Sequence, residues 1–464
     1  MRAMRTARNT QRGQALVLAL GLLLVGCAAL VLLAAAGRAS ATKHRLLNAA
    51  DAAALSAATW RARVLNFDAY SNRAIVANEV AVAQAVTLVS WSRYFETLAQ
   101  NAATVSRLYP PVSAFLDRLE DAAELSREAA EAAARLEIGV RATAGIGYKD
   151  LLQASQEALH LTADGFALGA LANEVVRAND PAFFAYVLPG DRFARFTRRH
   201  ASDDDRQRLR GVVEASLDGF TGGARSADLP VLPSGCIASF DPERMFNHVR
   251  KRGATALGAD LDRWEATDTA SLHAWQARGG LFGLGGGCRE RESLPMGWGA
   301  AEADASADGT VATRAHDTAR NASARGRGDD EMSTFGAYGG LARVRELALD
   351  ALDDARFPVS RFAVLARSGR AAGSEVDGGA DAGAAADAGV AASRHGPRPA
   401  GRLALGGREA DAAQWALAAA EVRFARPAAA GGPPELASLY NPYWLARLAE
   451  PTAAQRALAD ARAR

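Results

Sequence analysis

Lysine is almost absent. Only Lys43, Lys149 and Lys251 occur among 54 basic side chains, and the rest are arginine. Arginine and 52 acidic residues are interleaved to a net charge of +2, with no basic tract. That distribution argues against a nucleic-acid partner, and the arginine bias reads as the imprint of a GC-rich genome. Aromatic residues are also scarce, at 7% of a 464-residue chain that is 49% hydrophobic. Much of the remainder is alanine, which favours helix but buries little area per residue. The expectation is long helices joined by thin, close seams, in a chain long enough for two or three domains.

Catalytic signatures are missing too. The histidines stand singly at 44, 160, 200, 248, 273, 316 and 395, with no HxxxH pair, and there is no CxxC, GxSxG or GxxxxGK[ST]. The Gly-rich "GLGGG" at 283–287 reads as a turn. "DASAD" at 304–308 begins like the DxSxS of a metal-dependent adhesion site, but ends in Asp308 instead of serine. His248 and His273 with Cys236 and Cys288 could in principle ligate a metal, although core or surface roles fit them better. The expectation is a protein that is not an enzyme and uses no cofactor.

Charge is absent from residues 15–36. As a helix, 22 residues rise roughly 33 Å, close to the roughly 30 Å hydrocarbon core of a bilayer. A secretory signal has a shorter apolar region, so Ala34-Ala35-Ala36 is a poor cleavage site. Leu24-Val25-Gly26-Cys27 resembles a lipobox, but apolar sequence continues for ten residues past the cysteine. An uncleaved single-pass helix fits best. Arg2, Arg5, Arg8 and Arg12 precede it, and Arg38, Lys43 and Arg45 follow. The short basic leader favours a cytoplasmic N-terminus with the bulk of the chain exported.

Beyond the span there is no Gly or Pro from Arg38 to Leu108. Alanines recur every four residues (49, 53, 57 and 50, 54, 58), which permits close helix–helix approach or simply marks an Ala-rich helix. At 100° per residue Asp68, Asn72 and Glu79 share one face, and Asn66, Arg73 and Gln84 another, with Ile75, Val82 and Val86 between. Two polar stripes predict either a helix contacted on several sides or one solvated along both. Pro110-Pro111 breaks it, and helices are expected over 112–136 and 150–177, ending at Asp180-Pro181. Ser202 reads as an N-cap before Asp203-Asp204-Asp205. From about 221 the texture turns to Gly, Pro and short alternation. A strand pair is expected around 256–264, strands within "RFPVSRFAVLARS" and "AAAEVRFARP", irregular structure over 300–330, and a disordered tract at 368–402. If this region is exported, Cys236 and Cys288 could pair; they could equally be unrelated thiols.

The reading is therefore α+β. Its segments are a leader (1–14), a membrane helix (15–36), an Ala-rich helical region (37–220), a strand-containing region (221–367), a low-complexity linker (368–402) and a C-terminal strand and helix (403–464).

Arg12-Gly13-Gln14, the uncharged helix and "LLNAADAAALSAA" at 46–58 resemble, in that order and spacing, the TadE/TadG-like proteins of tight-adherence (Flp) pilus assembly. "NRAIVANEVAVAQ" at 72–84 and "SLYNPYWLARL" at 438–448 look like further pieces of that pattern. The resemblance implies an inner-membrane-anchored structural component of a pilus or secretion machine, with pilin-like or assembly subunits and copies of itself as partners. Gly13 would be the processing site, but prepilins carry Glu at the fifth residue beyond, where this chain has Leu18. It therefore looks more like the TadG-like branch. Asn48, Asp51, Asn72, Arg73, Asn78 and Glu79 are the candidate subunit contacts. The alternative is an envelope lipoprotein or anchored binding module whose ligand site lies near Trp264–Trp298.

Overall fold

The computed structural model describes residues 14–106, 110–140, 147–236, 244–278, 287–304, 318–336, 338–348, 358–368, 414–426 and 435–463. The expected disordered tract 368–402 and the GLGGG turn lie, apart from Ser368 and Gly287, outside these residues, as does Gly13.

The absence of proline up to Leu108, and of glycine from Arg38 on, has its full effect in the first helix. Helix α1 spans Gln14–Ser106, 93 residues without interruption, so at 1.5 Å per residue it is about 140 Å long. Its first part is long and apolar enough to cross a membrane and is unburied, with Leu16 to Leu33 exposed on every side. From Leu46 onward the same helix becomes the spine of a folded body.

The helices after Pro110 pack back on this spine. Helix α2 (Pro110–Val140) runs antiparallel to it, since Arg127 meets Glu96 while Glu131 meets Arg93. Its seam is Ala123, Ala130, Ala134 and Ile138, small side chains that let the axes approach. The single helix expected over 150–177 is instead two, α3 (Tyr148–Thr162) and α4 (Gly165–Asn179). The break falls at Asp164, whose side chain accepts from the Gly165 N–H and starts a new helix. Helix α5 (Asp203–Ala215) opens on a full capping box between Ser202 and Asp205.

Two sheets lie along the spine. One has strand order β1-β9-β10-β11, built from β1 (Phe183–Val187), β9 (Val359–Ser368), β10 (Trp415–Phe424) and β11 (Trp444–Ala449), all antiparallel. It therefore draws strands from both sides of the low-complexity linker and one from the Ala-rich region. Its core joins Leu46, Ala50, Ala54 and Leu65 of α1 to Phe362, Val364, Ala418, Val422 and Trp444. Helix α7 (Ala453–Ala463) covers the other face through Leu458 and Ala459.

The second sheet has order β3-β4-β5-β6-β7, with β3 (Ala227–Pro233), β4 (Phe246–Leu257), β5 (Arg263–Arg278), β6 (Gly287–Asp304) and β7 (Ser333–Phe335). Only the β6–β7 pairing is parallel. The strand pair expected at 256–264 is the turn of the β4–β5 hairpin, closed by Gly258 N–H to Arg263 O, with Leu261 at φ 64°. Of the range 300–330, where irregular structure was expected, the described residues 300–304 and 318–330 are largely regular, and 305–317 lie outside the described residues. β6 runs to Asp304 and helix α6 covers Ala322–Asp330. The small residues that suggested irregularity are there for contact. Ala300, Ala301 and Ala303 are buried, and a methyl group at Gly299 would overlap the main chain of Ser90 and Tyr94 of α1. A short antiparallel pair, β2 (Thr197–Arg199) with β8 (Arg345–Leu347), forms a separate two-stranded sheet.

Candidate functional site: a spine helix with a buried polar ladder

The part of the molecule that joins the candidate membrane span to the body is α1, and its distinguishing chemistry is a row of buried and part-buried polar side chains. Asp68, Glu79, Ser90 and Asn101 recur every eleven residues, three turns plus about 20°, so they remain on one face. Together they meet α3, β5, β6 and the Tyr338 segment. Asp68 Oδ2 lies 2.6 Å from His160 Nε2 on α3. Glu79, with no exposed surface, accepts from Lys149 Nζ (3.1 Å), Trp264 Nε1 (3.3 Å) and the Tyr338 hydroxyl (2.5 Å). Ser90 donates to Asp268 Oδ2 at 2.9 Å, and Asn101 Nδ2 to Met296 O at 2.9 Å.

A second row begins at Arg61. Its buried guanidinium pairs with Asp191, donates twice to Ala163 O, and stacks between Phe193 and Phe362. Eleven residues on, Asn72 Nδ2 donates to Arg345 O and Leu439 O, both at 2.8 Å, and Asn72 Oδ1 accepts from Gln156. One asparagine thus ties α1, α3, the β8 strand and the segment before β11. Buried polar groups of this kind cost folding energy unless paired, so each rung fixes one docking arrangement.

The electrostatics follow from burial. Burial raises the Asp68 carboxyl, and His160 offsets this only in part. Burial would raise Asp268 as well, but Arg225 (2.9 Å) and Lys251 (2.5 Å) outweigh it and hold the carboxylate low. Tyr94 beside this cluster is pushed up to about 12 by burial and by Asp268. Tyr338 is raised further, by burial and then by Glu79.

Of the six candidate subunit contacts, the structure divides them. Asn72, Asn78 and Glu79 are buried within the chain, so they are committed to its own elements and unavailable to a neighbour. Asn48, Asp51 and Arg73 are exposed, with Arg73 donating to Asn441 Oδ1 at 2.9 Å. The alanines at 49, 53, 57, 50, 54 and 58 are fully buried, and what they approach is the first sheet and α4, not a second span. Sequence reasoning missed Arg61, Lys149, Trp264 and Asp268 as partners. The eleven-residue spacing was the available signal on α1; nothing local marks the partners.

Cys236 and Cys288 are joined as a disulfide, Cα atoms 6.2 Å apart, linking the segment after β3 to the start of β6. Among the described residues no group of three His, Cys, Asp or Glu side chains is placed to hold a metal. His248 and His273 are cross-strand neighbours, and His273 Nε2 is bonded to Asn321. Of "DASAD", only Asp304 lies within the described residues.

Comparison with known proteins adds one match. No curated protein and no solved structure matches the chain. The family model Tad, described as putative Flp pilus-assembly TadE/G-like, matches residues 13–61. Those residues are the apolar span, the alanine face against the first sheet and the first buried rung, Arg61. The chain is similar to this family over residues 13–61, a short N-terminal part of its 464 residues.

Proposed function

We propose that this protein is a non-enzymatic, membrane-anchored structural or assembly component of a tight-adherence pilus or a related secretion system. Its N-terminus would lie in the cytoplasm, residues 15–36 would cross the inner membrane once, and the folded body would stand on the far side. Its partners would be the membrane, other pilus-assembly or pilin-like subunits, and copies of itself. The observation that carries this reading is the continuity of α1, which enters the TadE/G-like match as an exposed apolar span and leaves it as a buried core helix. A rigid helix shared between bilayer and body transmits position from one to the other, which suits an assembly role. Asn48, Asp51 and Arg73 on its exposed side are the residues left to contact a neighbour.

The test is the mature N-terminus, read by mass spectrometry from the membrane fraction and from sheared surface filaments. A chain beginning near Met1 and confined to membranes is the expected result. A chain beginning at Gln14 in sheared filaments would make it a pilin-like subunit processed after Gly13. Lipid on Cys27 would replace the proposal with an envelope lipoprotein.

A further inference from the structure

The apolar span and the first sheet meet without a linker. Gln414, the residue before β10, donates from Nε2 to Ala39 O of α1 at 3.2 Å. Lys43 Nζ donates to Trp415 O, and the ammonium lies 5.2 Å from the centroid of the Trp415 ring. Arg45 pairs at 3.4 Å with Asp180, the residue that ends α4. Along the helix Ala39 lies about 4.5 Å beyond Ala36, and Lys43 about 10 Å. The headgroup layer outside the hydrocarbon core is roughly 5–8 Å deep on each side. With residues 15–36 across a bilayer, this end of the body therefore stands among the headgroups.

That end is ringed by cations. Arg38, Lys43 and Arg45 stand on α1, and Arg177 in the last turn of α4. Arg367 is the register partner of both Phe184 and Trp415, and the Arg462 guanidinium, in the last turn of α7, lies 5.4 Å from the Tyr186 ring. The acids here are fewer. They are Asp180, already bound by Arg45, Asp460 on α7, and Glu174 one turn back on α4. Among the described residues Arg38, Lys43, Arg177, Arg367 and Arg462 form no ion pair. The chain's other two lysines differ, for Lys149 is buried against Glu79 and Lys251 against Asp268. Arg38 Nε donates to Ala34 O at 3.3 Å, which folds its guanidinium back along the last turn of the apolar run. A cation at that depth is costly unless an anion lies beside it. Trp415, Tyr186 and Phe184, all half-buried, add the amphipathic aromatic rings that favour a membrane interface.

We propose that this collar binds the phosphate groups of anionic phospholipids in the leaflet where the span ends. The charges are complementary, and the depth is that of the lipid phosphates. The exposed apolar helix just below offers acyl chains a surface while Arg38 and Lys43 meet the phosphate above it. A free phosphate ion has no chain for that surface to hold. The proposal rests on the reading of residues 15–36 as a membrane span and adds to it the class of lipid bound.

The test uses the full chain in an uncharged detergent. It is given equimolar phosphatidylglycerol and phosphatidylcholine with distinguishable acyl chains of matched length, and the lipids it retains are counted by native mass spectrometry. Phosphatidylglycerol is expected to be favoured at least about fivefold, the factor that one basic side chain near an anionic surface supplies. Arg38→Gln with Lys43→Gln should bring retention of the two lipids near parity. Should that variant melt lower, Arg38→Gln with Arg462→Gln, both exposed, is read in its place and should at least halve the preference. Arg289→Gln with Arg291→Gln removes as much charge from exposed positions on β6, past the Met296 contact with Asn101, and should leave the preference intact. Equal retention in the wild type, an equal loss in the β6 variant, or abolition of the preference by excess inorganic phosphate would each overturn the proposal. Alkaline carbonate washing of membranes separates the two readings. A chain that resists it yet shows no lipid preference overturns the collar alone, and a chain that is released overturns the span and the collar together.

Discussion

At the scale of single residues, the ladder on α1 makes sharp predictions because its groups are buried. Glu79→Ala removes the acceptor shared by Lys149, Trp264 and Tyr338. Leaving the Lys149 ammonium and two buried donors without it should cost about 3–5 kcal/mol, read as a shifted urea midpoint. Glu79→Gln, which keeps an acceptor, should cost less. Gly299→Ala is expected to destabilise by about 3 kcal/mol, because the added methyl meets helix backbone that cannot swing aside. The acid limb of stability should report on Asp205. The Ala201 N–H, then Ser202, Arg198 and Arg208, hold its carboxyl down to about 2 against the opposing effect of burial. Its unfolded value is about 3.9. A folded pKa below the unfolded one contributes stability that is complete above the unfolded value and lost as pH falls through the folded one. The melting-temperature gap between wild type and Asp205→Asn should thus be open at pH 6, narrow as pH falls below about 4, and close only below about 2. A gap independent of pH would mean the capping carboxylate contributes nothing by its charge. Asp68 has the opposite sign, since its pKa is raised.

At the scale of elements, the helix and the disulfide behave differently. One alanine inserted after Gly37, in exposed helix, should leave the body's thermal stability unchanged. The same insertion between Ala83 and Gln84 turns Ser90 and Asn101 about 100° from Asp268 and Met296 and should prevent folding. The Cys236–Cys288 link closes a separation of 52 residues, so its reduction is expected to cost about 2–4 kcal/mol. Alkylation before reduction should label Cys27 alone, and all three thiols after it. The element boundaries that sequence showed best were those with local chemistry, such as Ser202 before α5. Those it showed worst depended on a distant partner. Residues 300–304, the start of the range expected to be irregular, belong to β6, where Ala300 and Ala301 are buried and Gly299 lies against α1.

At the scale of the whole molecule, α1 has two contrasting parts. Its residues 16–36 are apolar all round and unburied, a candidate membrane span, while from Leu46 onward it is packed against two sheets and α2. Deleting residues 1–37 should therefore yield a water-soluble body with an unchanged far-UV spectrum per residue outside the span and an unchanged melting temperature. Aggregation of that truncated protein would show that the body needs its anchor to fold. Sequence by itself determined the apolar span, the unbroken helix behind it, the α+β class and the TadE/G-like start, because each is written in composition, spacing or a contiguous motif. It also placed Asp68, Asn72 and Glu79 on one face. Only the tertiary structure decided what those residues face. Asn72 and Glu79 were candidates for a neighbouring subunit, and they bind this chain's own Arg345, Leu439, Lys149, Trp264 and Tyr338. Those partners come from 70 to 367 residues away along the chain. Helical periodicity fixes the direction in which a side chain points, but which element arrives there depends on packing that no local pattern records.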